Sequence, residues 1–350
     1  MRIYNDGDEK RGGFRFLNDV ICIDFVAENQ PIEQYLNEIV SYVNENSLKK
    51  IFIYSHYKEA IDIPFLNDCQ QVEELQISAL CKDLESVYKL HLSKLSLQIQ
   101  DYPVSFEKLS RDLVDLDLYN IKIRKVNYCL NPGILTCKQL RYLSVSYVNN
   151  EDLELIVQMP WIEELGLAYF NAKSLKIPYF GNMRKLTSLF FQKMPEKILK
   201  IVKELPQLKS LACAQIPFST LSRMENLRNL QKLQINYCTK LTDISALREC
   251  LNLKILEFTA CKQIKDFTPL SQLNNLERLQ LFNCGEISSL KFIESMENLK
   301  SLVFMSTNIL DGDLSPCMRL EYAGTNDKRH YNIKAKDLPH NCDNQIPITS

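Results

Sequence analysis

Two aspartates separated by one residue are the first candidates for chemistry in this sequence. Asp115 and Asp117 lie in the segment LVDLDL, whose alternation of apolar and polar residues predicts a β-strand with both carboxylates on one face, about 7 Å apart. That separation suits two carboxylates acting as general acid and base. No pocket around them is recognisable from the sequence, so we interpret the pair as an exposed acidic contact patch.

The histidines offer few further candidates; they are His56, His91, His330 and His340. We expect His91 to project from a strand, but no acidic residue stands at a catalytic spacing from it. His330 lies near His340 and Cys342, yet a zinc site needs four ligands and no fourth is recognisable. The sequence has no hydrolase or metalloprotease motif and no glycine-rich phosphate loop. We therefore predict a protein without catalytic activity, metal or cofactor.

Three cysteines recur at a fixed interval. Cys238, Cys261 and Cys284 are 23 residues apart, and each follows the last apolar residue of a predicted strand by three positions. A metal site or a redox relay is one interpretation of such a series. We favour a structural ladder, in which the side chains face loop backbone groups and hydrogen-bond to them.

The N-terminal sequence and the charge balance limit where the protein is expected to be located and which partners it is expected to bind. The first ten residues are polar and charged, and no apolar segment with a small-residue cleavage site follows, so we expect a cytoplasmic protein with reduced thiols. No run of about 18 apolar residues predicts a membrane span. The chain has 42 Lys and Arg against 43 Asp and Glu, which argues against a nucleic-acid surface. We expect a monomer that binds neither membranes nor nucleic acid.

The elements that position these residues come from a repeat. The pattern apolar-x-x-apolar-x-apolar recurs with a mean spacing of about 23 residues, and its copies begin at Leu48, Val72, Val87, Leu113, Leu140, Ile162, Leu186, Leu208, Leu230, Leu253, Leu276, Leu299 and Leu320. Leucine-rich repeats have periods of about 20–29 residues. The step from Val72 to Val87 is only 15 residues; it is either a compressed repeat or a turn.

The period predicts an α/β leucine-rich repeat solenoid. We expect a curved horseshoe with a parallel β-sheet on its concave face and a helical or irregular convex side. Residues 1–47 should form an N-terminal cap, with a strand at 20–25 and a helix that Pro31 opens. Residues 48–325 should form an array of 12–13 repeats. Residues 326–350 should close the array and end in a loose tail.

The repeats resemble a known family. The copies from Leu208 to Leu320 are similar to bacterial internalin-like proteins with a 22–23-residue period, and KLTDISAL and QIKDFTPL resemble that family's return segment. The closing segment DGDLSPCMRLEYAGTNDKRHYNIK resembles that of cytosolic bacterial repeat proteins, some of which are immunity proteins. The cysteine-containing repeats also resemble substrate receptors of ubiquitin ligases. These resemblances imply a non-enzymatic protein-binding scaffold.

The predicted concave face carries the candidate binding residues. Residues between the buried leucines should point outward there, and exposed aromatic side chains on a rigid surface are typical of protein-binding hot spots. The predicted partner-binding residues are Phe52, Tyr54, Tyr119, Tyr142, Tyr169, Phe190, Phe282 and Met305, with Asp115 and Asp117. The acidic side chains on this face belong mainly to the first half of the chain. The basic residues Lys232 and Arg278 lie in the second half, and Lys50 and Lys89 are basic exceptions in the first half.

Within this class we favour an inhibitor or immunity protein that covers another protein's active site. The alternative is an adaptor with two partners. A secreted effector, or an enzyme acting through residues 1–47, agrees less well with the sequence.

Overall fold

The computed structural model describes residues 13–17, 20–25, 33–55, 59–119, 130–224 and 227–340. Contacts divide the chain into two compact units, Met1–Pro178 (unit 1) and Tyr179–Ser350 (unit 2), and both contain repeats. His56, Cys342, the predicted helix start at 31–32 and the predicted loose tail at 341–350 lie outside the described residues.

In the described part of unit 1, strands follow one another in chain order: β1 Gly13–Leu17, β2 Val20–Phe25, β3 Lys50–Ser55, β4 Glu74–Ser78, β5 Lys94–Gln98, β6 Asp115–Tyr119, β7 Tyr142–Ser146 and β8 Glu164–Ala168. β1 pairs antiparallel with β2, and from β2 to β8 each strand pairs in parallel with the next. Parallel neighbours require a crossover, which is the return half of each repeat. β2 has the predicted bounds, whereas β1 was not predicted.

The return segments of unit 1 are short helices. They comprise α1 Glu33–Glu45, α2 Asn150–Ile156 and 3-10 turns at Pro64–Asp68, Val87–Lys89, Phe106–Lys108 and Pro132–Thr136. α2 begins with a capping box: the Asn149 side chain accepts from the Asp152 N–H (2.8 Å), and the Asp152 carboxylate accepts from the Asn149 N–H (2.9 Å). The same carboxylate accepts from the Leu130 N–H at 2.9 Å. These bonds satisfy a charged group that is only 1% exposed and would otherwise be costly to bury.

The predicted repeat start at Val87 is wrong. Val87 begins a 3-10 turn, and the strand of this repeat is β5, seven residues further on. The segment LSKLSL from Leu92 matches the pattern as well as VYKLHL does, and it places Leu95 and Leu97 in the core at 2% and 0% exposure. The steps become 20 and 21 residues, so the short repeat disappears. His91 is exposed and precedes the strand; it does not project from the sheet.

Unit 2 has the same architecture. Its described strands are β9 Ser188–Gln192, β10 Ser210–Ala214, β11 Lys232–Asn236, β12 Ile255–Thr259, β13 Arg278–Phe282, β14 Gly285–Ile287, β15 Ser301–Val303, β16 Thr307–Ile309 and β17 Tyr322–Gly324. β9 to β13, β15 and β17 form one parallel series, and β14 and β16 pair in parallel as a second, two-stranded sheet. Its 3-10 turns are Glu196–Glu204, Ser222–Met224, Ser245–Glu249, Thr268–Gln272, Lys291–Ile293, Ser315–Arg319 and Ala335–Asp337.

Two side-chain ladders tie the repeats of unit 2 together. The Cys261 and Cys284 thiols donate to carbonyl groups of the preceding repeat at 3.4 Å, and the Thr307 hydroxyl does so at 2.6 Å in the same register. The predicted cysteine ladder is therefore structural, and a threonine continues it. The second ladder was not predicted: side-chain amides donate to carbonyl groups one repeat back at 2.7–3.0 Å, from Asn229, Asn252, Asn275 and Asn298.

Eight of the seventeen described strands are followed, within three residues, by a residue other than glycine with left-handed backbone. Positive φ angles of 49–62° occur at Tyr147, Tyr169, Lys193, Gln215, Tyr237, Ala260, Asn283 and Ser306. This conformation turns the chain from the strand into the return segment. With parallel strands, short helical returns and a leucine core in every repeat, the fold is the predicted α/β leucine-rich repeat solenoid.

Candidate protein-binding surface

The residues of β3 to β8 that alternate with the buried ones form the outer face of unit 1. Strand pairing aligns them in three rows. The first row begins Lys50, Glu74, Lys94, Asp115, and the central row contains Phe52, Gln76, Ser96, Asp117 and Ser144. The outer face of unit 2 is defined in the same way from β9 to β13 and β15.

Charges alternate in sign along the first row of unit 1. Lys50 pairs with Glu74 at 3.3 Å, and Lys94 pairs with Asp115 at 3.3 Å. The prediction that Lys89 lies on this face is wrong, because Lys89 belongs to the 3-10 turn before β5. The acidic character expected for the first half is therefore partly neutralised within the row itself.

A shallow depression of about 320 Å³ lies on the outer face of unit 1. Four of the predicted binding residues line it together: Phe52, Asp115, Asp117 and Tyr142. The Ser96 hydroxyl donates to the Asp117 carboxylate at 3.1 Å. Burial raises the pKa of Tyr142, and the nearby Asp117 charge raises it further, so this phenol stays neutral.

The side chains of Tyr119 and Tyr54 already make contacts within the sheet. The Tyr119 hydroxyl donates to the Ile77 carbonyl at 3.1 Å and hydrogen-bonds the Ser78 hydroxyl. Burial raises the pKa of Tyr119. Tyr54 contacts Phe52 edge to face, with ring centroids 6.5 Å apart. Tyr119 therefore braces β6 against β4, which makes it a structural residue as well as a candidate contact.

Tyr169 lies beyond the end of β8, at a left-handed position. Its ring stacks on Tyr147, which has the same position one repeat earlier, with centroids 5.1 Å apart and an interplanar angle of 7°. Tyr147 was not among the predicted binding residues. The 22-residue spacing of the two tyrosines, close to the repeat period, is the signal that marks the pair.

The outer face of unit 2 is less charged. Phe190 on β9 is 38% exposed, while Phe282 on β13 and Met305, two residues after β15, are half-buried. Small side chains at Ala212 and Ala214 accompany them on β10. Tyr237, which follows β11, is 55% exposed and is a further candidate that the sequence analysis did not identify.

The described residues offer no cluster for metal chemistry. No three His, Cys, Asp or Glu side chains among them lie close enough to hold an ion. Ten described cysteines are free thiols and all are buried. Burial raises the pKa of Cys261 and of Cys284 to about 12, which keeps both protonated and poor as nucleophiles or ligands. In the part of the chain that the structure describes, no helix has the length and apolar character needed to cross a bilayer.

The repeats and their outer faces define the class: a leucine-rich repeat protein. No protein-family model matches the chain, and no curated protein matches it in sequence. Among solved structures, an internalin (InlF) from Listeria monocytogenes is 20% identical with a TM-score of 0.56, over 89% of this chain and 87% of that chain. The functional domain of InlJ from the same organism, described as including a cysteine ladder, is 19% identical with a TM-score of 0.50, over 79% and 62%. An internalin C2 from L. monocytogenes is 22% identical with a TM-score of 0.42, over 56% and 84%. At these identities the similarity to InlF and InlJ shows a shared fold.

Proposed function

We infer that this protein is a non-enzymatic scaffold that binds another protein on its outer faces. The observation that carries this function is the aromatic content of those faces: Phe52 and Tyr142 line the depression in unit 1, and Phe190 is exposed on unit 2. Solvent-facing sheets otherwise favour polar side chains, whereas buried aromatic anchors dominate the energy of protein interfaces. The inferred role is that of a cytoplasmic, monomeric inhibitor or immunity protein, which acts by covering an enzyme.

Affinity purification of the tagged protein from its native cells, followed by mass spectrometry, tests this function. The unit 1 variant is Phe52→Ala with Tyr142→Ala, and the unit 2 variant is Phe190→Ala with Phe282→Ala. We expect at least one variant to lower recovery of a stoichiometric partner by about tenfold or more, as loss of hot-spot side chains does. Tyr119 is left unchanged because its hydrogen bonds support the sheet.

The matched control is Leu251→Ala with Met318→Ala. These side chains are 55% and 50% exposed but lie outside the strands. Recovery of the partner by this control should equal that of the wild type, and circular dichroism should show that all variants are folded at the temperature of the purification. Full recovery of the partner by both face variants would place the interface elsewhere and contradict the proposed function.

The adaptor role is the second candidate, and the different chemistry of the two outer faces supports it. Unit 1 presents two ion pairs and Asp117, whereas unit 2 presents an exposed phenylalanine beside alanines. Faces this different suit different partners. The adaptor role predicts that the unit 1 and unit 2 variants lose different proteins, whereas for an inhibitor any variant that loses a partner loses the same protein.

A further inference from the structure

The depression on the outer face of unit 1 leaves one charge uncompensated. Its lining includes the carboxylates of Glu74, Asp115 and Asp117 and the ammonium group of Lys94. Lys94 is paired with Asp115, and Glu74 with Lys50. Among the described residues, Asp117 forms no ion pair; its carboxylate accepts a hydrogen bond from the Ser96 hydroxyl.

The charge and the size of the depression restrict what it can receive. Because Lys50 and Lys94 pair with Glu74 and Asp115, the Asp117 carboxylate leaves the depression with one net negative charge, which disfavours an anion and favours a cation. The volume, about 320 Å³, is at the lower limit of small-molecule pockets, which begin at about 300 Å³. The depression is therefore large enough for a single side chain, which is the occupant that a protein partner on this face supplies.

The groups around Asp117 match a guanidinium group. A carboxylate has about four acceptor positions, and Ser96 uses one, so the planar fork of arginine still has room for a bidentate contact. The aromatic residues Phe52 and Tyr142 line the same depression, and aromatic rings are the groups on which a guanidinium stacks. Lysine, a compact and strongly hydrated charge, uses neither feature as well.

We propose that this depression binds the guanidinium group of an arginine side chain that the protein partner presents. Asp117 accepts its hydrogen bonds, and Tyr142 packs against its plane. The inference rests on the proposed function, since the arginine belongs to the protein that the outer face binds. It adds the chemistry of the contact: one arginine at the centre of the unit 1 interface.

Fluorescence anisotropy with a peptide probe tests the proposal on the full-length protein. The probe is fluorescein-labelled Gly-Ser-Arg-Gly-Arg-Gly-Ser, and the comparison peptides carry citrulline or lysine in place of both arginines. We expect the arginine peptide to bind best, because citrulline has the same shape without the charge. Asp117→Asn should weaken binding by about tenfold or more, as expected for loss of a charge-assisted hydrogen bond.

Asp112→Asn is the matched control, since it removes the same charge from an exposed position just before β6. It should bind the probe as the wild type does. Tyr142→Leu keeps the apolar bulk but removes the stacking face, so it should weaken arginine binding as well. Equal binding of the citrulline or lysine peptide, equal weakening by both aspartate variants, or no binding by the wild type would overturn the proposal.

Partner capture separates this inference from the proposed function. A partner that Asp117→Asn retains but an outer-face aromatic variant loses contradicts the arginine contact and leaves the scaffold function standing. A partner that all of these variants retain contradicts both. Loss of the partner with Asp117→Asn, and not with Asp112→Asn, supports both.

Discussion

The ends of the strands impose a backbone conformation that most side chains disfavour. In each of eight repeats a residue other than glycine has φ between 49° and 62°, a region in which Gly is unstrained and Asn is tolerated. Asn283 suits this demand, whereas Tyr147, Tyr169 and Tyr237 do not. Strained residues persist where another requirement outweighs stability; Tyr237, which is 55% exposed, and the stacked pair Tyr147 and Tyr169 are candidates for such a requirement.

Glycine substitution measures this strain directly. Gln215 is exposed and has φ of 56°, and the left-handed conformation costs a residue with a side chain roughly 1 kcal/mol or more. We expect Gln215→Gly to leave the free energy of unfolding unchanged or to raise it by up to about 1 kcal/mol. Gln231→Gly, at an exposed position before β11 without positive φ, should lower it by about 0.5–1 kcal/mol. Equal losses in guanidinium unfolding would contradict the strain.

At this scale the alternation of apolar and polar residues correctly predicted that Phe52, Tyr142, Phe190 and Phe282 lie on the outer faces. It did not predict that Tyr119 bonds to β4. That contact spans the intervening β5, so it depends on the reach of a side chain and not on a pattern along one strand. Tyr147 and Tyr237 were missed because they follow their strands and so lie outside the alternation that identified the face residues.

Among the elements, three 3-10 turns of unit 2 share an aspartate cap: Ser245–Glu249, Thr268–Gln272 and Ser315–Arg319. Asp243, Asp266 and Asp313 each accept from the backbone N–H two residues later, at 2.8–3.0 Å. Hydrogen bonds from the side chains and backbone of Ser245, Thr268 and Ser315 lower the pKa of these aspartates below the ordinary value of 3.8. Their ionised forms therefore stabilise the return segments.

This cap makes stability depend on pH in acid. A carboxyl group whose pKa is lowered by folding stabilises the protein above its unfolded pKa, near 3.8, and loses that effect as the pH falls through the folded pKa. Asp266→Asn keeps an acceptor oxygen but cannot titrate, so its free energy of unfolding should decline less than that of the wild type between pH 5 and about pH 2.5. Asp266→Ala lacks the acceptor and should lose about 0.5–1 kcal/mol at neutral pH as well. Parallel pH profiles for wild type and Asp266→Asn would contradict the role of the charge.

The wrong repeat start at Val87 shows how precisely the repeat pattern alone can locate a strand. VYKLHL and LSKLSL overlap and fit the same pattern, so the pattern alone cannot choose between them. The choice follows from pairing: β5 must align Leu95 with Leu75 and Leu97 with Ile77 of β4. That constraint involves the neighbouring repeat and is absent from a single window of sequence.

For the whole molecule, the leucine period correctly predicted the solenoid, because each repeat can bury its apolar face only against the next. The division at residue 178 was not predicted, since the leucine pattern continues from one unit to the next.

The cysteine thiols report on the packing of both units in one experiment. The ten described cysteines are buried, and burial raises the pKa of Cys81 in unit 1 and of Cys317 in unit 2 to about 12.

Native thiols should therefore resist modification until the repeats open. In a Cys129→Ser, Cys342→Ser variant, which retains the ten described cysteines, we expect no reaction with Ellman's reagent under native conditions and ten reactive thiols in guanidinium chloride. Thiolate is the reactive form, and buried thiols present almost none of it. Rapid reaction of any thiol in the folded variant would show that its repeat opens readily.

The asparagine and cysteine ladders of unit 2 also bear on how such a chain changes over generations. Each side chain of a ladder donates to a carbonyl group one repeat back, and in the asparagine ladder this hydrogen bond recurs from Asn229 to Asn298. Excision or duplication of one 23-residue copy would join a donor to an acceptor of the same kind, whereas loss of a few residues would leave both unpaired. The ladders therefore favour changes in the length of unit 2 by whole repeats, and each such change would alter the area that its outer face presents.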